Sequence, residues 1–259
     1  MMTSVKNEMK LRTLSLAMAG VFTGLMAMPA HAELTGNIGV VSKYVLRGVT
    51  NSNSAGSENN GAAVQGGFDW SHASGVYLGY WGSSLSYGDS SKPSPQTSGF
   101  ENDLYGGYKF KAGPVGLDVG LIQYLYSAIG DQDGIEAVVN AGIGPVTAGF
   151  KYLTKDVAWG NKGDIYWTLG YSHDLPSDFK FAGLLGYYTY KDSGKFIAST
   201  AESSAFRHVD LKLSHPLGKT GADMSLTYTV GGKARGARTF AGQMLDQSNT
   251  IVLGLSTGF

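Results

Sequence analysis

Apolar and polar residues alternate with a period of two along most of this chain. Leu34, Ile38 and Val40 alternate with polar or small residues near the start, and residues 251–259 repeat the pattern at the end. Such alternation predicts β-strands with one apolar and one polar face. We predict about twelve strands, near 34–49, 61–71, 75–87, 99–110, 115–127, 134–143, 146–154, 163–172, 179–190, 205–214, 222–230 and 249–259.

The connections between these strands alternate between long and short. Five short turns lie near 72–74, 111–114, 144–145, 173–178 and 215–221, and six long polar loops lie between them. With an even number of strands, all short turns and both termini fall on one side. Short turns on one side and long loops on the other are typical of outer-membrane barrels. The sequence therefore predicts an all-β fold, a closed antiparallel up-and-down transmembrane β-barrel.

The N-terminal segment has the order of a secretory signal peptide. Lys6, Lys10 and Arg12 precede an apolar run of about 14 residues, which is shorter than the roughly 20 that span a bilayer. Ala30-His31-Ala32 follows as a small-x-small cleavage site. We predict a cleaved signal peptide over 1–32 and an outer-membrane barrel over 33–259. Met1 and Met9 are both possible starts.

Composition narrows the possible functions. The chain has no Cys, so disulfides and Cys-ligated metals are excluded, and a net charge of +0 gives no basic footprint for nucleic acid. Residues 1–32 contain three of the 20 basic and one of the 20 acidic residues, so the remainder carries a net −2. The sequence predicts no cofactor, no metal site and no nucleic-acid partner.

Strand parity places most charged strand residues inside the predicted barrel. The set predicted to line the lumen and set its selectivity is Lys43, Arg47, Glu101, Asp103, Asp118, Glu136, Lys151, Asp210 and Lys212. Lys43 and Arg47 would lie in the upper half of the first strand, with Glu101, Asp103 and Glu136 across the barrel. Opposed basic and acidic walls would create a transverse field that orients dipolar solutes.

Twelve strands predict a narrow pore, between the filled eight-stranded barrels and the wide channels of 16–18 strands. The loop over 231–248 is long enough to fold inward and constrict it. That loop carries Lys233, Arg235 and Arg238 as candidate constriction residues.

Aromatic residues mark the short-turn ends of the apolar faces. Such residues form the interfacial girdle of membrane barrels. The predicted girdle is Trp70, Phe110, Tyr171, Phe179 and Phe259. Because Phe259 ends the last strand, this strand resembles the signal that the barrel-assembly machinery reads.

An enzyme is the less favoured reading, although twelve-stranded outer-membrane phospholipases with a Ser–His pair exist. His72 and Ser74 have a similar spacing but fall in a predicted turn, away from the barrel wall. The chain also has no Gly-x-Ser-x-Gly nucleophile elbow. We predict no catalytic residues.

Three blocks resemble the TorF-like porin family, a proteobacterial outer-membrane family of unknown function. The first is residues 42–50, which contain the family's Tyr-x-x-Arg-Gly core as Tyr44-Val45-Leu46-Arg47-Gly48. Residues 63–79 and 101–108 are similar to the next two blocks. The resemblance is clearest over 34–126 and implies an outer-membrane barrel and a pore.

Together these features predict a porin-like channel for passive diffusion of small polar or charged solutes. The alternative is a non-conducting structural or adhesion barrel whose outer loops bind a partner, and a plugged lumen would favour it. The expected partners are outer-membrane lipid, the barrel-assembly machinery and small solutes. The oligomeric state is left open.

Overall fold

The computed structural model describes residues 31–50, 61–88, 96–127, 130–200, 202–232 and 248–259. Nearly all of the predicted signal peptide (1–30) and most of the predicted constriction loop (233–247) lie outside these ranges. Within them, no helix is long and apolar enough to cross a membrane.

Among the described residues, twelve strands close into one antiparallel barrel. Two further strands, β2 (Val45–Leu46) and β3 (Val49–Thr50), pair only with each other. The barrel consists of β1 (Glu33–Val41), β4 (Ala63–Ser71), β5 (Val76–Gly88), β6 (Gln96–Ala112), β7 (Val115–Tyr126), β8 (Gly134–Ile143), β9 (Val146–Leu153), β10 (Ile165–Asp174), β11 (Lys180–Thr189), β12 (Ser204–Pro216), β13 (Ala222–Gly231) and β14 (Thr250–Gly258).

The barrel closes where its first and last strands meet. β1 pairs with β4 on one side and with β14 on the other, with Asn37 opposite Gly258. Backbone hydrogen bonds in both directions between Gly36 and Phe259 extend this seam to the last residue of the chain. Closure leaves none of the twelve described wall strands with an unpaired edge, which a sheet in hydrocarbon requires.

The two faces of the wall differ in polarity as the alternation predicts. Successive side chains of a strand point to opposite faces, so that apolar residues cover the exterior and charged residues point into the lumen. The exposed exterior residues include Leu34, Ile38, Leu78, Leu121, Leu169, Leu211, Leu253 and Leu255. An apolar exterior of this kind is the surface that a bilayer covers.

Eleven of the twelve barrel strands lie within a few residues of their predicted bounds, and the side assignment of turns and loops is confirmed. The first strand was predicted wrongly, since β1 ends at Val41 rather than near residue 49. The chain leaves the wall there, and residues 42–50 enter the lumen on the long-loop side.

Candidate functional site

Residues 42–50 form a small hairpin inside the barrel, here termed the lumenal hairpin. β2 and β3 pair through Val45–Thr50 and Leu46–Val49, leaving Arg47-Gly48 as a two-residue turn. Both turn residues have positive φ, 51° at Arg47 and 75° at Gly48, as a type I′ turn requires. A non-glycine residue in this conformation costs about 1–2 kcal/mol, so other contacts of Arg47 must offset the strain.

The base of the lumenal hairpin is anchored by apolar packing against one side of the lumen. Tyr44 packs with Ala63, Trp81 and Leu85 on β4 and β5, and Leu46 lies against the same cluster. The Tyr44 hydroxyl donates a 2.8 Å hydrogen bond to Glu101 on β6. These contacts hold the base, so the tip projects towards the other side of the barrel.

The tip places the Arg47 guanidinium among side chains of several wall strands. Nη1 and Nη2 donate to the Glu136 carboxylate at 2.8 and 2.6 Å, a bidentate ion pair. The same nitrogens donate to the hydroxyls of Tyr188 at 2.5 Å and Tyr124 at 3.1 Å. The Tyr166 ring lies under the guanidinium carbon at 4.5 Å. Arg47 and Glu136 are 8% and 1% exposed, so the pair is buried.

A bulge in β12 receives the turn of the lumenal hairpin. The register between β11 and β12 shifts at Gly186/Tyr187, so that Arg207 is skipped in the pairing. Arg207 and His208 are consequently both buried, and Arg207 Nε donates to the Arg47 carbonyl at 3.0 Å. A Cβ on Gly48 would lie 2.6 Å from the His208 Cβ, so only glycine fits.

Next to this contact, His208 belongs to a short row of polar side chains along the wall. Its Nε2 lies 2.7 Å from the Tyr166 hydroxyl, and its Nδ1 lies 3.2 Å from Asp210 at an angle that makes no hydrogen bond. Asp210 in turn accepts a 2.7 Å hydrogen bond from Thr229. These polar contacts hold the ring of Tyr166, and the Arg47 guanidinium lies over that ring.

The protonation of the lumenal hairpin follows from its burial and its partners. Burial, reinforced by the charge of Glu101, raises the pKa of the Tyr44 hydroxyl well above its usual value. Burial alone would lower the pKa of Arg47, but the Glu136 carboxylate together with Tyr188 and Tyr124 raises that pKa well above its usual value. The guanidinium is therefore charged and the phenol neutral at any physiological pH.

The structure places seven of the predicted lumen residues on the inner face. They are Glu101, Asp103, Asp118, Glu136, Lys151, Asp210 and Lys212; Lys212 is partly buried and the other six are buried. Lys151 lies within electrostatic range of Glu136, Asp103 and Glu101. The structure therefore brings four of the predicted charges, Glu101, Asp103, Glu136 and Lys151, near Arg47, while their role in selectivity stays a prediction.

Two parts of the predicted charge layout are wrong. Lys43 and Arg47 do not lie on β1, because the chain has already left the wall; Lys43 Nζ instead donates to Thr250 at 3.2 Å. Arg47 does not face the acidic wall across open water, since it is paired directly with Glu136. The lumenal hairpin occupies the lumen, whereas Lys233, Arg235 and Arg238 lie outside the described residues.

The predicted girdle residues lie on the outer surface near the short turns. Trp70, Tyr171, Phe179 and Phe259 are 36%, 43%, 37% and 72% exposed, and Phe110 is partly exposed and stacks on Tyr108. Phe259 also packs edge-on against Phe68 and lies over Gly36. The last residue thus completes both the seam and the outer surface.

Sequence reasoning missed Tyr124, Tyr188 and Arg207 as contacts of Arg47. Tyrosines recur on both faces of the wall, and nothing in the sequence distinguishes those that meet the hairpin. A bulge also changes parity without a sequence signal of its own. The unusual length of the first predicted strand, with a Gly-containing dipeptide at 47–48, was the one available sign of a turn.

The His72–Ser74 pair lies in the β4–β5 turn, as predicted. His72 Nδ1 is 2.8 Å from the Ser74 hydroxyl and also accepts the Ser74 backbone N–H at 3.1 Å, so the contact closes the turn. Both residues are exposed. In the part of the chain that the structure describes, no group of three His, Cys, Asp or Glu side chains could hold a metal ion.

A protein-family comparison identifies the chain. The profile of a family described as "Bacterial protein of unknown function (Gcw_chp)" matches residues 27–246. The chain belongs to the Gcw_chp family. The match includes the whole lumenal hairpin and all the predicted lumen residues. A search of curated proteins finds no match.

Several solved structures align with most of this Gcw_chp protein. A KdgM porin aligns with a TM-score of 0.51 and 8% identity, over 87% of this chain and 99% of that one. Outer membrane phospholipase A from Escherichia coli aligns with a TM-score of 0.42 and 11% identity, over 89% of this chain and 96% of that one. OccAB3 from Acinetobacter baumannii aligns with a TM-score of 0.40 and 11% identity, over 89% of this chain and 65% of that one. At 8% identity, the KdgM alignment establishes a shared barrel fold.

Proposed function

We propose that this protein is an outer-membrane, porin-like channel for passive diffusion of small polar or charged solutes. The observation that carries the proposal is a closed barrel with an apolar exterior and a charged lumen. An energetically costly charged lining is expected where solutes or water must pass. The barrel fold shared with the KdgM porin and the resemblance of Tyr44–Gly48 to the TorF-like porin family support the same reading.

The lumenal hairpin supplies the constriction of this channel. It crosses the lumen from its anchor near Trp81 on β5 to Glu136 on β8 and the bulge of β12. Conduction past it requires that the tip move or that solutes pass beside it. We therefore expect low conductance or infrequent opening in the unmodified protein.

The protein's location follows from the same proposal. The signal sequence predicted over 1–32 would export the chain, and the apolar exterior would contact outer-membrane lipid. The strand ending in Phe259 would be the segment that the barrel-assembly machinery binds. The lumen would carry solutes without any covalent chemistry, and no residue is assigned a catalytic role.

The close packing of the lumenal hairpin also favours a second candidate, a non-conducting structural barrel whose outer loops bind a partner. Buried residues such as Glu101, Glu136, Tyr166 and His208 are 1% exposed or less, which means that the lumen is filled at this level. The two candidates differ in whether the filled layer ever opens.

Planar-bilayer recording of the purified, folded protein separates the two candidates. The channel predicts discrete conductance steps in the unmodified protein and larger or more frequent steps in Arg47→Ala. If neither protein gives conductance steps, although heat-modifiable gel migration shows that both are folded, the structural barrel remains as the function. The exposed substitution Lys162→Ala is the control, with recordings indistinguishable from those of the unmodified protein.

A further inference from the structure

The side chains that hold the Arg47 guanidinium belong to the barrel wall and form a cage of their own. Glu136 binds two of its nitrogens, and the hydroxyls of Tyr124 and Tyr188 accept from the same two nitrogens. Tyr166 supplies a ring face at 4.5 Å. These four residues lie on β7, β8, β10 and β11, and they are here termed the guanidinium cage.

The guanidinium cage is held in shape by contacts that do not involve the lumenal hairpin. The Tyr124 hydroxyl donates to Glu136 at 2.8 Å, and the Tyr166 hydroxyl is 2.7 Å from His208. Tyr188 packs against Tyr166 with ring centroids 5.1 Å apart and stacks on Tyr190 at the same distance. These contacts do not depend on Arg47, so the wall itself preorganises the cage side chains.

The fit of Arg47 in this cage is imperfect. Its Nε is buried with no hydrogen-bond partner, and its backbone has the disfavoured positive φ of 51°. Both features weaken the hold on the internal side chain, since a buried unsatisfied donor and a left-handed residue are each unfavourable. A free cation of the same shape would escape the backbone strain, which makes displacement of Arg47 feasible.

We propose that the guanidinium cage is a binding site for small solutes that carry a guanidinium group, and that Arg47 occupies it as an internal competitor. The inference deepens the proposed channel function, because displacement of the tip by such a solute would open the constriction. A carboxylate fork together with a ring face selects a flat, delocalised cation over a compact ammonium. The hydroxyls of Tyr188 and Tyr124 add two hydrogen-bond acceptors.

Competition sets the concentrations at which binding is visible. A side chain tethered by a short flexible segment acts at an effective concentration in the millimolar range. Guanidinium solutes should thus act on the unmodified protein only above about millimolar concentration, and at lower concentration when Arg47 is removed. This difference is a direct signature of an internal competitor.

The test measures binding of guanidinium ion to the purified Arg47→Ala protein in detergent. Thermal unfolding is followed while guanidinium chloride is titrated to about 20 mM against sodium chloride and methylammonium chloride at equal ionic strength. We expect a saturable upward shift of Tm with guanidinium, and half-saturation at about tenfold lower concentration than with methylammonium. Arg47→Ala/Glu136→Gln should lose the shift. Equal responses to all three salts, or an unchanged shift in the double variant, would overturn the proposal.

A second variant keeps the test independent of how Arg47→Ala folds. The chain has no Cys, so Val49→Cys introduces one thiol at a buried position of the lumenal hairpin. Guanidinium should accelerate maleimide labelling of this thiol several-fold, and methylammonium should not. Identical labelling rates in the two salts would contradict displacement of the hairpin.

These readouts also separate this inference from the channel proposal. Saturable guanidinium binding without any conductance would support the cage as a guanidinium-binding site and refute the channel function. Conductance steps with no specific guanidinium effect in either variant would refute the cage and leave the channel.

Discussion

The guanidinium of Arg47 and the carboxylate of Glu136 form a bidentate ion pair at 2.6–2.8 Å, although 89 residues separate them in the chain. Arg47 follows β1, and Glu136 lies on β8, five strands away around the barrel. The pair joins the tip of the lumenal hairpin to the far wall. The state of the lumen therefore depends on one contact between a loop and a strand.

Glu136→Gln should loosen the lumenal hairpin. Removal of one charge from a buried pair leaves the other uncompensated, at a cost of about 3–5 kcal/mol. We expect higher open probability in single-channel records and a lower Tm. Glu202→Gln, at an exposed position, is the matched control and should change neither quantity. Unaltered gating in Glu136→Gln would show that the pair does not hold the hairpin in place.

Gly48→Ala should prevent the turn from docking on β12. The added Cβ would lie 2.6 Å from the His208 Cβ and 2.8 Å from the Arg207 carbonyl oxygen, at a position with φ of 75°. We expect conductance at least as large as in Glu136→Gln. Gly61→Ala is the control, because nothing lies within 4 Å of its Cβ position. The idea fails if both alanine variants record like the unmodified protein.

Gly79→Ala should destabilise the barrel without affecting the constriction. A Cβ on Gly79 would collide with the ring of Tyr105, whose hydroxyl donates to Asp69 at 2.6 Å. Overpacking of this kind costs about 1–3 kcal/mol, and a lower temperature of heat-modifiable migration would reveal it. Gly130→Ala, with open space around its Cβ position, should keep the original temperature. Equal temperatures for both variants would contradict the proposed packing.

Ion selectivity should respond in opposite directions to two buried lumen charges. Asp118→Asn should reduce any preference for cations because it removes a negative charge from the lumen wall, and Lys151→Gln should increase that preference because it removes a positive charge. Reversal potentials under a salt gradient measure both effects. The exposed Lys219→Gln serves as control. Shifts of the same sign in Asp118→Asn and Lys151→Gln would refute a selectivity role.

Deletion of Phe259 should reduce the amount of folded barrel in the outer membrane. The residue pairs with Gly36 at the seam, packs against Phe68, and would end the strand that the assembly machinery binds. Quantitative gel-shift analysis of membrane fractions gives the folded yield. Phe179→Ala removes an exposed aromatic side chain near the same rim, and this variant should retain most of the folded yield. Similar yields would assign Phe259 no special role in assembly.

The alternation of apolar and polar residues was sufficient to predict the barrel wall, but it was insufficient to predict which residues fill the lumen. Alternation located Glu101, Asp103 and Glu136 on the inner face, because side-chain direction within a strand depends only on parity. It failed at residues 42–50, where alternation continues through Val45 and Val49 although the chain has turned inward. A short hairpin and a strand have the same periodicity, and only a packing partner distinguishes them.

The sequence by itself determined the barrel, its apolar exterior, its charged interior and the side of each loop, since each follows from a period of two and from turn length. The tertiary structure decided that Arg47 meets Glu136, Tyr124, Tyr166 and Tyr188. Those partners lie on different strands and converge only when the sheet closes. Closure brings residues distant in sequence to the same level of the lumen, and no local pattern encodes that distance.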